Sequence, residues 1–183
     1  MIEKNAPALF DIKAIIGKME IIEGQKTAEL GCGNFGFFVW PLARLVGRRG
    51  TVYAVDILKS HLEEIKRIAL KDNFPQVKTI WSNLEIFKAA QIESSSLDAA
   101  LLINVLHQSE KKGEVLRESI RLLKRGGKLM IIEWGNSDSP LGPRPEKRVK
   151  LDSLKLAATK LNLNLEEEFI AGPYHYGLIL TKI

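Results

Sequence analysis

The chain has 183 residues, 45% of them hydrophobic, with charges of both signs, which suits one globular domain spanning 1–183 better than two. Its single cysteine, Cys32, excludes an intrachain disulfide and any multi-cysteine metal site. The formal charge of +5 could suit nucleic acid, but the basic residues fall in scattered pairs, such as Arg48 with Arg49 and Lys111 with Lys112, the pattern of ordinary solvated surface.

At the amino end, Glu3, Lys4 and Asn5 stand where a signal peptide would carry its apolar core, and no apolar run is long enough to span a bilayer, so a cytoplasmic location is expected. Short apolar runs then alternate with amphipathic stretches, which predicts an α/β domain with a mainly parallel sheet. A helix at 10–19, within a covering segment at 1–24, precedes a strand at 26–30. The next helix, at 35–46, contains Pro41 and must kink or begin late. A strand at 51–55, a helix at 59–70, and strands at 77–81 and 97–103 follow. The pattern continues with a helix at 110–124, a strand at 127–133, and a loop at 137–143 leading into the basic run 144–150, which could help hold an anionic substrate. After a helix at 150–161 come two strand-like runs, 165–170 and 176–182. The five residues between them are too few for a helical crossover, so the last strand is antiparallel.

The chemistry concentrates after the first strand. In Gly31-Cys32-Gly33-Asn34-Phe35-Gly36, glycines at the strand end allow a tight turn and let a ligand lie on bare backbone. Asp56 ends the second strand, where a carboxylate can accept hydrogen bonds from both hydroxyls of a ribose. The glycine spacing also fits a dinucleotide fingerprint. Glu29 tips the balance, because a negative charge beside the loop repels a pyrophosphate and attracts an ammonium or sulfonium cation. Cys32 reads as a small filler beside the ligand.

Glu29-Leu30-Gly31-Cys32-Gly33-Asn34-Phe35-Gly36, with its last glycine displaced by one position, resembles the first motif of the class I S-adenosylmethionine-dependent methyltransferases. Asp56 matches their ribose-binding acidic residue, 97–107 is similar to their fourth motif, and 122–132 to their helix, glycine turn and fifth strand. The resemblance implies a three-layer Rossmann-like fold, with a mainly parallel seven-stranded sheet ending in an antiparallel strand. It places Gly31, Cys32, Gly33 and Asn34 around the methionine part of S-adenosylmethionine, Glu29 near its amino group, and Asp56 on the ribose. Ile57 would lie beside the adenine, Asn83 would meet the adenine amino group through its amide oxygen with Leu84 next to it, and Asn104 and Val105 would flank the methionine.

Methyl transfer requires mainly alignment, so a general base is optional. His107 is the nearest candidate, with packing of the following helix as its alternative role. Glu133, Trp134 and Arg148 could form a substrate wall, Tyr174 and His175 read as turn residues, and His61 reads as surface. The resemblance is greatest to small-molecule methyltransferases of quinone biosynthesis and arsenite methylation; the lack of several cysteines argues against arsenic. The expected partner is a small-molecule acceptor, with S-adenosylhomocysteine as co-product. The alternatives are an RNA or protein methyltransferase, or a noncatalytic S-adenosylmethionine-binding regulator. With no inserted cap, the pocket is expected to be open or completed by a partner chain.

Overall fold

The computed structural model describes residues 10–135 and 141–183, so residues 1–9 of the covering segment at 1–24 and residues 137–140 of the loop at 137–143 lie outside it. The elements are α1 (Ile12–Gly17), β1 (Lys26–Leu30), α2 (Val39–Val46), β2 (Thr51–Asp56), α3 (Lys59–Lys71) and β3 (Val77–Trp81). They continue with β4 (Leu97–Ile103), α4 (Lys112–Leu122), β5 (Leu123–Trp134), α5 (Leu151–Lys160), β6 (Leu163–Gly172) and β7 (His175–Lys182). One seven-stranded sheet runs β3-β2-β1-β4-β5-β7-β6. Its strands pair in parallel from β3 through to β5, and β7 is antiparallel to both β5 and β6.

Alternation along the central strands explains the three layers. In β4, Ala100 and Leu102 point to the face covered by Val115 and Leu116 of α4 and Leu154 of α5. Ala99 and Leu101 point to the other face, where Ile15 of α1, Leu42 of α2 and Ile65 of α3 pack. A central strand buried on both faces can carry apolar residues without interruption, as 99–102 do.

Several boundaries differ from the sequence pattern. Of the two outcomes expected around Pro41, the late start is the one found: α2 begins at Val39, which leaves Pro41 in the first turn, where its missing N–H would have no carbonyl partner within the helix. The stretch before it stays open, with Gly36 in a left-handed turn at φ +55°. α4 stops at Leu122, and β5 takes in residues 123–126, of which 123 and 124 were expected to end the helix. The final hairpin turns on Pro173 and Tyr174 alone, so His175 is the first residue of a strand and not a turn residue. No described helix is long and apolar enough to cross a membrane.

The loop from β3 to β4 is secured by one buried ion pair. Glu118 of α4 is fully buried; its carboxylate accepts hydrogen bonds from the backbone N–H of Lys88 (2.8 Å) and Ala90 (3.0 Å) and from Arg121 (2.8 and 2.7 Å). Arg121 in turn donates to the carbonyls of Ala90 and Ile92 and to Ser94. Burial raises the Glu118 pKa, but the guanidinium and the two N–H groups outweigh it and hold the carboxyl below its usual range. Truncating one partner of such a pair strands the other charge. Glu118→Ala should therefore cost on the order of 3–5 kcal/mol in urea unfolding. Glu114→Ala, which breaks only the exposed pair with Arg117, should cost less than about 0.5 kcal/mol.

Candidate active site

The strand order reverses between β1 and β4, and in such sheets ligands bind beyond the carboxyl ends of the strands at that reversal. A cleft of about 410 Å³ lies there, with Gly31 and Gly33 on one side and Asp56, Ile57 and Leu58 on the next. Ser82 to Glu85 follow β3, and Val105, Gln108 and Ser109 follow β4. A second hollow of about 340 Å³, near Phe74 and Lys78, lies by the carboxyl end of α3 and offers no carboxylate.

Backbone hydrogen bonds hold the glycine loop against β2. The N–H groups of Gly31 and Cys32 both donate to the Val55 carbonyl, at 2.8 and 3.0 Å. Gly31 has φ +83°, and a Cβ there would come within 2.5 Å of Val105 Cγ2, so its glycine is required twice over. Gly33, at φ +60°, faces open space and presents bare backbone to the cleft.

Asp56 joins the two strand ends. Its carboxylate accepts the N–H of Gly33 at 2.9 Å and that of Leu58 at 2.9 Å. His61 was expected at the surface, but it lines the cleft with Nδ1 only 3.2 Å from Asp56 Oδ1, a contact that lacks hydrogen-bond alignment. Placement on the first turn of α3, five residues past the strand end, brings it there, and spacing from Asp56 was the available signal.

Glu29 is buried beneath the loop and does not line the cleft. Burial pushes its carboxyl up to about 8; the N–H groups of Val39 and Phe38 at the start of α2 oppose the shift, and the Asp56 charge adds to it. Its Oε2 has no hydrogen-bond partner among the described residues. The standing negative charge inferred from sequence is therefore suppressed near neutral pH in the free protein. Cys32 is buried; desolvation, then the Glu29 and Asp56 charges, push its thiol far up, which leaves an inert filler.

Ile57, Asn83, Leu84 and Val105 line the cleft with Gly31, Gly33 and Asp56; Asn34 and Asn104 do not. Asn34 is exposed. The Asn83 amide oxygen accepts the N–H of Glu85 at 2.9 Å, so it already closes a local turn. Asn104 adopts φ +56° and turns its amide toward β7, with Nδ2 3.2 Å from His175 Nε2. Sequence reasoning missed Ser82, which is buried in the cleft wall with its Oγ unpartnered among the described residues, and also Glu85, Gln108 and Ser109. Glu85 Oε1 accepts from Ser109 Oγ (2.7 Å) and from the N–H of Glu110 (2.9 Å), bracing the turn before α4.

The side of the site facing β5 and β7 is packed. His107 Nδ1 lies 2.8 Å from Glu133 Oε2, and Glu133 is fully buried. The proposed substrate wall is turned inward: Trp134 stacks at 4.1 Å on His175, and Arg148 donates to the carbonyls of Pro143 and Gly135 at 3.1 and 2.9 Å. His175 also touches Phe10 at 4.6 Å; burial, then the charges of His107 and Arg148, lower its pKa to about 4.

Fold and cleft together define a Rossmann-like domain of the class I type, shaped for a ligand that carries a nucleoside. Residues 22–168 match the family model described as a methyltransferase domain, and the chain belongs to this family of S-adenosylmethionine-dependent methyltransferases. It is 29% identical over 146 residues to the 2-phytyl-1,4-naphtoquinone methyltransferase of Nostoc punctiforme, covering 80% of this chain and 61% of that protein. It is 28% identical over 120 residues to the S-adenosyl-L-methionine-dependent Diels-Alderase iccD of Talaromyces variabilis, covering 65% and 39%. The chain thus spans less than two thirds of either of these relatives. The crystal structure of a SAM-dependent methyltransferase from Aquifex aeolicus shares its fold, with a TM-score of 0.86 at 22% identity over 96% of this chain and 91% of that one.

Glu29 gives a pH prediction with a definite sign. Its folded pKa lies above its unfolded one, so its contribution to stability is complete below about pH 4.5 and is lost as pH rises through about 8. The midpoint temperature of the ligand-free protein should fall across this window, and Glu29→Gln, which cannot ionise, should flatten the fall and be more stable than wild type near pH 9. An unchanged slope in Glu29→Gln would remove Glu29 as its cause.

Proposed function

We propose that the cleft binds S-adenosylmethionine and that the domain transfers its methyl group to a small-molecule acceptor by in-line displacement. The observation that carries this reading is the Asp56 carboxylate at the cleft wall, set next to the bare backbone of Gly33. The residues fit the group. Asp56 keeps lone pairs beyond those used by two N–H donors, and these are available to ribose hydroxyls. Exposed Ile57 and buried Leu84 form an apolar slot for a base, with the unpartnered Ser82 Oγ and the Asn83 amide at its edge. Gly33, with open space where a Cβ would stand, leaves room for the methionine part. The unpartnered Glu29 Oε2 lies under the loop, where an ammonium group would draw out its proton. When bound, S-adenosylmethionine supplies an activated methyl and leaves as S-adenosylhomocysteine; the protein contributes alignment and exclusion of water.

A small acceptor is favoured by the scattered basic residues and by the quinone named for the Nostoc relative. The name of the Talaromyces protein, a Diels-Alderase, favours a second reading in which the cofactor is bound without methyl transfer.

Calorimetric titration tests binding first. S-adenosylmethionine should bind in preference to NAD, and Asp56→Ala should weaken it about 10- to 100-fold, the value of one or two hydrogen bonds to a charged group. Asp56→Asn should lose less. Release of S-adenosylhomocysteine with an acceptor panel then separates the readings: tight binding with no release from any acceptor would favour the second, and preference for NAD would sink both.

A further inference from the structure

Asp56 is not alone at its end of the cleft in having a hydrogen-bonding atom to spare. We propose that His61 is a second sugar-reading residue: its Nε2 bonds one hydroxyl of the ribose, so that Asp56 and His61 recognise the diol together and the site demands a nucleoside with both hydroxyls. This rests on the cofactor reading above and deepens it.

His61 stands on the first turn of α3 and lines the cleft with Asp56, Ile57 and Leu58. The strand end itself sets its position. The Asp56 carboxylate accepts the Leu58 N–H at 2.9 Å, the Leu58 carbonyl accepts the His61 N–H at 3.1 Å, and the turn so closed brings the imidazole back to the carboxylate that began it. Nδ1 lies 3.2 Å from Asp56 Oδ1 and is closed off from solvent, although the side chain as a whole is 29% exposed. The exposure therefore falls on the rest of the ring, where Nε2 lies. No described residue bonds Nε2, and it is not sealed as Nδ1 is. Asp56, for its part, is already fixed by the N–H groups of Gly33 and Leu58 and does not need the unaligned imidazole to hold it.

The other polar side chains on the cleft are tied to neighbouring turns. Asn83 Oδ1 accepts the Glu85 N–H, Glu85 accepts from Ser109 and Glu110, and Gln108 Nε2 donates to the Asn104 carbonyl at 2.6 Å. Ser82 Oγ is unpartnered among the described residues, but it is sealed from solvent. Asp56 and His61 are left side by side with bonding capacity free. A vicinal diol suits this pair. The carboxylate can only accept, and the Gly33 and Leu58 N–H groups occupy part of its capacity. A hydroxyl both donates and accepts, so it can meet Nε2 whether or not that nitrogen carries the proton. Removing one hydroxyl strands whichever partner it had.

Calorimetric titration with S-adenosylhomocysteine and with its 2′-deoxy and 3′-deoxy analogues separates a bond to a hydroxyl from mere packing. Wild type should bind both analogues more weakly than the parent. His61→Leu should weaken the parent about 3- to 10-fold, the value of one hydrogen bond, while the penalty for one of the two analogues shrinks to about twofold or less. His61→Gln, whose amide reaches the place of Nε2, should recover most of the parent affinity; His61→Asn, which reaches only as far as Nδ1, should not. This Gln and Asn comparison carries the test should His61→Leu fail to fold. Equal weakening of all three ligands by His61→Leu, no weakening at all, or equal affinities in His61→Gln and His61→Asn would overturn the proposal while leaving the cofactor reading in place. Failure of wild type to bind S-adenosylhomocysteine would instead defeat the cofactor reading, and the role of His61 with it.

Discussion

The site depends on one carboxylate at the junction of two parallel strands. Asp56 ends β2, yet it accepts a hydrogen bond from Gly33, which belongs to the loop leaving β1. The two strands are paired in register up to Leu30 and Val55, and the Asp56 to Gly33 contact, with the paired N–H groups of Gly31 and Cys32 on the Val55 carbonyl, carries that spacing past the strand tips into the loop. The same carboxylate closes the turn into α3 through Leu58. Bare backbone and a ribose-sized acceptor group are thereby held at a set spacing before any ligand arrives, which lowers the ordering cost of binding.

Glu29 works from underneath. A carboxyl buried beside the start of α2 meets opposed demands: burial favours the neutral acid, and the N–H groups of Phe38 and Val39 favour the anion. Burial wins in the free protein. A ligand ammonium nearby would shift that balance, so the charge is present when a cation is there to use it and largely absent otherwise. This reconciles the sequence-level inference of a cation-attracting residue with a side chain that does not face the cleft.

Legibility in the sequence followed the range of the interactions. Strands β1, β3 and β4 were readable to the residue because each is an apolar run bounded by turn chemistry, and Gly31, Gly33 and Asp56 because steric need and carboxylate geometry are local properties. The late start of α2 was foreseen from Pro41 only as one of two outcomes. Glu85 could not be seen, since it acts on Ser109, which only the folded packing brings near, whereas His61 was overlooked although its spacing from Asp56 was a local signal. Arg148 was misread for a similar reason: a cation in a basic run looks available to a substrate until a carbonyl such as that of Gly135 lies 2.9 Å away. Asn104 was rightly placed after β4 and wrongly aimed, because its left-handed backbone turns the side chain toward His175, and asparagine tolerates that conformation well enough to leave no mark in the pattern.

That turn also decides how one short segment serves both the cleft and the packed side beside β5. Directly after Asn104 the chain makes a single 3-10 turn, Leu106–Gln108, in which side chains three apart lie over one another. Val105 and Gln108 are three apart, and both line the cleft. Leu106 and His107 are rotated away from that face by about a third of a turn each. Leu106 is fully buried in the core shared with α4 and α5, while its N–H is spent on Glu133. A carboxylate fixed on β5 thus holds the backbone of the turn and the ring of His107 together, so the orientation of His107 and the position of Val105 in the cleft cannot change independently. The cleft wall and the imidazole of His107 are two faces of one turn, and Glu133 sets the angle between them.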